Sequence, residues 1–339
     1  MSTQPTQRTQ RTQRTQPTQA IPTQATPATP SISPIFSATT TSARQLFNLL
    51  KCCGFQPRAQ MELLAEGIKV TVEDSRVMQG HILVDRHLFS SYTFTPPPSE
   101  TTTSTTSSST STVSFGISFA SLLECLQIFG AEREREKWHS AGAAAPHSSA
   151  FDQQVLRISG TCRISYRGVG FPLALMLEEN GTITTCTLST YPAEEIADIP
   201  LSLSSLALKV IMKASWLQDA IQELEGSMPE RLTLAASPQR SGLSLSAAGA
   251  MGSTEVEFLN DKALLQSYRC DKEVLNTYKF ALIKNAARAM AIASKVSIRG
   301  DGHGVLSMQF MIEQEGGVAS FVDFRFLPYV GDDEAYEED

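Results

Sequence analysis

The stretch Cys162–Pro192, CRISYRGVGFPLALMLEENGTITTCTLSTYP, decides how this chain is read. Arg163–Tyr166 reads as a short strand, and Phe171–Glu178 alternates, with Phe171, Leu173, Leu175 and Leu177 on one face. Asn180-Gly181 accepts the positive φ angles of a tight hairpin turn, and Thr182–Thr190 alternates again, so three antiparallel strands are predicted. The same order returns in Lys295–Pro328, KVSIRGDGHGVLSMQFMIEQEGGVASFVDFRFLP: a short strand, a Gly-rich turn, an apolar strand ending in glutamate, a second Gly turn and a third strand. A unit written twice predicts a duplicated domain.

Working outward, the copies extend over most of the chain. Ser42 caps a helix written ARQLFNLLKCC, and Gly54 ends it. Strands follow at Met61–Leu64, Gly67–Asp74, Val77–Val84 and Leu88–Phe94, then at Val113–Ile117 before a second helix, Phe119–Phe129. In the second copy Leu203–Met212 is a strand and Ala214–Leu224 a helix. Strands at Arg231–Ala236, Gly242–Ala247 and Glu255–Leu259 come next, and Thr277–Leu282 leads into a fourth helix, Ile283–Ala293. Ile68 thus corresponds to Leu243, 175 positions on, and Leu175 to Phe310, 135 positions on. The two offsets differ by about the combined length of two insertions, 95–112 (Pro, Thr and Ser) and 131–153, as loop growth in the first copy requires. Each half reads as strand, helix, three or four strands, helix, three strands. Short links join antiparallel strands, so the fold class is α+β with antiparallel sheets rather than parallel βαβ layers.

The remaining segments divide as a disordered Thr/Gln arm (1–32), a first domain (33–188), a connector (189–201), a second domain (202–330) and an acidic tail (331–339). The formal charge of -7 is carried mostly by that tail, which holds six acids, so bulk charge neither demands nor excludes a nucleic-acid partner. Six cysteines without CxxC spacing read as buried free thiols, and the five histidines offer no metal spacing. No metal or cofactor is expected. No apolar run is long enough to span a bilayer, so no membrane partner is expected. Gly300–Gly304, GDGHG, precedes a strand and not a helix, so it reads as a turn rather than a phosphate loop.

GIKVTVEDSRVMQGHI, LLECLQIFG, YRGVGFPLALMLEENG and KVSIRGDGHGVLSMQFMI resemble the Rad-one subunit of the DNA-damage checkpoint clamp, the heterotrimeric nine-one-one complex, over about Ser33 to Pro328. The resemblance implies the DNA-clamp fold of proliferating cell nuclear antigen, in which two duplicated domains per chain close into a ring with helices lining a central channel. It implies a non-catalytic, nuclear subunit, with Rad-nine and Hus-one type chains as neighbours, a checkpoint clamp loader, and double-stranded DNA through the ring. The channel residues would be Arg44, Lys51, Lys213, Lys279, Lys284, Arg288 and Lys295, on or beside the helices. By position the resemblance places the subunit-interface strands at Pro172–Glu178, with Leu173, Leu175 and Leu177, and at Gly252–Asn260, with Glu255, Glu257 and Leu259. It also places an apolar client pocket beside the connector, which here bears Glu194, Glu195 and Asp198.

Two other readings compete with this one. A 3'-5' DNA exonuclease would need converging carboxylates. The candidates, Glu178/Glu179, Glu255/Glu257 and Asp271/Glu273, are neighbouring acids at strand ends or loops, where solvated acids are common. A two-domain adaptor that never closes into a ring is the other. Cys52-Cys53, on an apolar helix, reads as packing rather than as a nucleophile.

Overall fold

The computed structural model describes residues 33–96, 112–127, 161–179, 182–239, 242–314, 317 and 319–330. The arm, both insertions and the acidic tail fall wholly or almost wholly outside them. The first half runs β1 (Phe36–Thr40), α1 (Ala43–Lys51), β2 (Arg58–Leu63), β3 (Gly67–Asp74), β4 (Met78–Asp85), β5 (Ser91–Phe94), β6 (Val113–Ser118), α2 (119–127), β7 (Thr161–Tyr166), β8 (Leu173–Glu179) and β9 (Thr182–Leu188). After the short β10 (Thr190–Pro192) the order repeats. It runs β11 (Leu206–Lys213), α3 (Ala214–Glu225), β12 (Arg231–Ala236), β13 (Gly242–Gly249), β14 (Gly252–Leu259), β15 (Leu265–Cys270), β16 (Val274–Lys279), α4 (Phe280–Lys284), α5 (Ala287–Ile292), β17 (Lys295–Asp301), β18 (Leu306–Glu313) and β19 (Ala319–Phe326).

The duplication holds in pairing as well as in order. The first half forms β5-β1-β7-β8-β9 and β6-β2-β3-β4; the second forms β15-β11-β17-β18-β19 and β16-β12-β13-β14. Every ladder between these strands is antiparallel, as the short links require. One joint fuses the halves: β4 pairs with β19, making a ten-stranded sheet that runs β10-β6-β2-β3-β4-β19-β18-β17-β11-β15.

Local chemistry repeats too. Gly67 and Gly242 open equivalent strands so close to the next one that an added Cβ would meet the Val84 carbonyl oxygen at 2.3 Å and that of Phe258 at 2.4 Å. Each glycine carbonyl accepts from a tyrosine hydroxyl, Tyr92 at 2.7 Å and Tyr268 at 2.9 Å. A backbone approach that excludes a side chain, closed twice by the same phenol, marks one design used twice.

Several expectations shift. In the second half five strands, not three, separate the helices, because Leu265–Cys270 and Val274–Lys279 are strands that their weak alternation concealed. The strand expected ahead of the first helix lies at Phe36–Thr40. The fourth helix is two short ones, starting at Phe280 and broken at Asn285-Ala286. Leu175 corresponds to Met308 rather than Phe310, since these two face the matched pair Ile164 and Ile298 across their ladders.

The two faces of the fused sheet differ in chemistry. Met78, Ile82, Met308, Phe310, Val322 and Phe324 are buried on one face, with Phe310 edge-on to Phe324 at 5.8 Å between centroids. Each such side chain contributes about 1.5–3 kcal/mol on burial. Cys53 and Phe55, just beyond α1, pack over Gly80 on this face, and Asn285 of the α4–α5 break reaches Met78. Helices of both halves therefore cover the same face. The other face carries Gln79, His81, Asp323 and Arg325, and the connector crosses it there.

Candidate nucleic-acid face and strand edges

The helices expose what they do not bury. In α1 the period of Ala43, Leu46, Leu49 and Leu50 takes the apolar side inward and leaves Arg44 and Lys51 exposed. Lys51 Nζ lies 5.0 Å from the Phe47 ring centroid, one helical turn back. α5 buries Ala289 and Met290 and exposes Arg288, whose Nη2 lies 3.4 Å from Asn48 Oδ1 on α1. This contact sets the helices of the two halves side by side. There is no acid in α1, α4 or α5.

The other expected channel residues keep different company. Lys284 ends α4 and is ion-paired with Glu225 at the end of α3, so its charge is locally offset. Lys213, whose Nζ is 5.0 Å from the Trp216 ring centroid, lies directly opposite Lys295 on the β11–β17 ladder. Lys279 lies opposite Arg231 on β16–β12. Like charges directly opposite destabilise a ladder, so both pairs hold positive potential at a small cost. Arg231, stacked on Tyr329 at 3.9 Å, escaped the sequence reading because that register is visible only in three dimensions.

The interface strands need one correction. β8, carrying Leu173, Leu175 and Leu177, is paired on both sides, by β7 and β9, and Leu173 and Leu175 are buried core. Among the described residues the edge is one strand further, at β9, which pairs only with β8. Alternation made β8 the more conspicuous strand, and alternation reports burial, not edge position. On the other side β14 pairs only with β13 among the described residues, and Glu255, Glu257 and Leu259 are exposed along it.

The connector is held firmly. Gln79, fully buried, donates to the Ala197 carbonyl oxygen at 2.8 Å and accepts from the Ile199 amide at 2.8 Å. Arg325 donates to the Ile199 carbonyl at 2.8 Å, and Asp323 joins Arg325 to Arg299. His81 sits among these groups with burial, its largest influence, pushing its pKa down to about 4. Where β10 pairs with β6, a cavity of about 150 Å³ opens between Arg58, Gln60, Thr71, Gly116, Tyr191 and Ile196. Its lining is mixed rather than apolar, and the Gln60 side-chain carbonyl oxygen is buried without a partner.

Other candidates resolve into structure. In the GDGHG turn the buried Asp301 carboxylate accepts from the His303 and Val305 amides at 2.9 and 3.0 Å, filling the position an anion would need. All six cysteines are free thiols, and burial raises Cys52 to about 12 and holds Cys53 well above the ordinary thiol range. Both stay protonated at neutral pH, as packing residues do. Among the described residues no three His, Cys, Asp or Glu side chains converge as a metal site. Glu255 accepts from Ser244 at 2.6 Å, and Asp271 is ion-paired with Arg269.

Duplicated halves of antiparallel sheet, joined by one continuous ladder and sharing one helix-covered face, define a sliding-clamp fold. Solved structures agree: proliferating cellular nuclear antigen of Entamoeba histolytica superimposes with a TM-score of 0.62 at 15% identity, over 88% of this chain and 100% of that one. The chain belongs to the family described as "Repair protein Rad1/Rec1/Rad17", whose profile matches residues 35–312. It is 33% identical over 299 residues to "DNA damage checkpoint control protein rad1" of Schizosaccharomyces pombe, covering 87% of this chain and 86% of that one. It is 30% identical to human "Cell cycle checkpoint protein RAD1", covering 86% and 90%. A more distant relative, at 21% identity over 81% of this chain and 87% of its own length, is "DNA repair exonuclease REC1" of Mycosarcoma maydis.

Proposed function

We propose that this chain is a non-catalytic subunit of a heterotrimeric ring clamp that encircles damaged DNA in the nucleus and recruits checkpoint and repair proteins. Its neighbours are Rad-nine and Hus-one type chains, and a checkpoint clamp loader places the ring. The single observation that carries this reading is the juxtaposition of α1 and α5: helices of both halves side by side on one face, exposing Arg44, Lys51 and Arg288 with no acid in either helix. A clamp is retained by topology, so its bore needs only weak, sequence-independent attraction to phosphate. Exposed cations such as Lys51 and Arg288 supply that. Lys284 contributes less, being paired with Glu225, while the Lys213–Lys295 and Arg231–Lys279 neighbours add to the same potential. Clients dock at the cavity beside the connector, whose lining mixes polar and apolar groups.

The exonuclease reading has one point in its favour, the name of the distant relative. Against it, the three acid pairs lie on separate elements, and the first residues of two of them are already engaged with Ser244 and Arg269. The test is a charge reversal at exposed positions, Lys51→Glu with Arg288→Glu. The variant is expected to fold and to assemble, but to load on DNA about tenfold less at 0.1 M salt, with a shallower salt dependence. Undiminished loading by the assembled variant would remove this face from the bore. Metal-dependent nucleotide release that survives rigorous purification would establish the exonuclease instead.

A further inference from the structure

The joint this chain makes with itself specifies the partner it requires at β14. The hairpins β3–β4 and β13–β14 superpose through Gly67 and Gly242, so His81 corresponds to Glu255 and Leu83 to Glu257. The β8–β9 and β18–β19 ladders superpose through Leu173 and Leu306, so Thr185 corresponds to Asp323 and Ile183 to Phe321. Inside the chain His81 faces Asp323 and Leu83 faces Phe321 across the joint, and Asp323 finds its counter-charges in Arg299 and Arg325. The free edges bear the marks of the same joint left open. Ile82 and Val322 are fully buried, but their counterparts Val256 and Thr184 are half-buried and exposed.

A second copy of this chain, brought to β14 in the same register, would set Thr185 against Glu255 and Ile183 against Glu257. β9 reads TITTCTL and contains no cation, so Glu255 and Glu257 would gain no counter-charge. We propose that β14 is completed by an antiparallel strand of a different chain, bearing lysine or arginine at the positions facing Glu255 and Glu257. The acidic edge is thus a selector: it rejects self-pairing and admits a basic strand. This inference rests on the clamp-subunit reading and goes beyond it in naming the chemistry of one neighbour.

The test co-expresses this chain with the Rad-nine and Hus-one type chains and measures which neighbour each variant retains. The wild-type chain retains both. Glu255→Gln with Glu257→Gln weakens one neighbour about tenfold and flattens the salt dependence of that association, because the backbone ladder is untouched and only the charge is gone. Glu255→Lys with Glu257→Lys loses that neighbour while keeping the other. Retention of both neighbours at wild-type levels by the lysine variant overturns this inference and leaves the clamp reading standing. A wild-type chain that retains neither overturns the clamp reading itself. An independent arm uses the chain alone: Ile183→Lys with Thr185→Lys gives β9 the missing cations. This variant should self-associate in sedimentation where the wild type does not, and should revert when the Glu255→Lys and Glu257→Lys changes are added. Self-association of the wild type, or association of the basic variant that ignores those added changes, overturns the proposal.

Discussion

The β4–β19 joint and the pair of free edges, β9 and β14, are built from the same two strand types, yet one is finished and the other is not. At the joint the inner residues are sealed: Gly80 sits against Cys53, Phe55 and Phe324, and the outer residues Gln79 and Arg325 fasten the connector. At the edges the counterparts are Thr254 for Gly80, Ser253 for Gln79 and Thr187 for Arg325, all polar and none fully buried. A duplicated unit thus carries two versions of one interface. The version that is always made within a chain accumulates tight packing and buried polar bonds. The version left for other chains must stay soluble when alone, so it is polar, and it discriminates by charge.

Three measurements would break or sharpen that contrast. The largest effect is expected at Gly80. A Cβ there would stand 2.7 Å from Cys53 Sγ and 3.1 Å from the Phe55 ring. Gly80→Thr should therefore cost about 3 kcal/mol and lower Tm by about 5–10 °C, while Thr254→Gly at the open counterpart should cost about 1 kcal/mol or less. Equal melting shifts for the two variants would mean that the joint is no more tightly packed than the edge.

Next comes pH. His81 has its folded pKa lowered to about 4, by burial first and then by Arg325 and Lys69, with Asp198 and Asp323 opposing. The unfolded chain, with an ordinary histidine, takes up the proton near pH 6.5, before the folded chain does. Stability is therefore complete above about pH 6.5 and falls, on the order of 2 kcal/mol, as pH drops toward 4. His81→Gln should flatten that part of the denaturation profile. An unchanged slope in the variant would assign the loss to other groups.

The smallest effect is at the connector. Gln79→Ala strands the Ala197 carbonyl and the Ile199 amide, costing about 1–2 kcal/mol. Hydrogen exchange at the Ile199 amide should accelerate well beyond global unfolding rates, whereas Ser253→Ala at the corresponding edge position should alter nothing. Continued protection of Ile199 would show that Arg325 and Lys69, which also reach the connector, are enough to hold it.

Much of this was legible without coordinates, and the exceptions are instructive. The alternation of Leu173, Leu175 and Leu177, the Asn180-Gly181 turn and the echo in Lys295–Pro328 are local signals, and they carried the duplication and the antiparallel class. The periodicity of α1 similarly placed Arg44 and Lys51 outward. The strands at Leu265–Cys270 and Val274–Lys279 escaped notice because they lie near sheet margins, where one buried face is incomplete and the pattern fades. The helix break at Asn285-Ala286 has no Pro or Gly to announce it.

What the sequence determined by itself is whatever depends on neighbours along the chain: which residues alternate, which turn, which cap, and that the unit occurs twice. Only the tertiary structure decided which strand is an edge. Edge status depends on which ladder partners are present, and among the described residues β8 has two of them where β9 has one. The pairing of Lys284 with Glu225 and of Lys213 with Lys295 likewise joins residues far apart in sequence. Such facts come from the sheet's register and helix packing, which no periodicity along a single strand encodes.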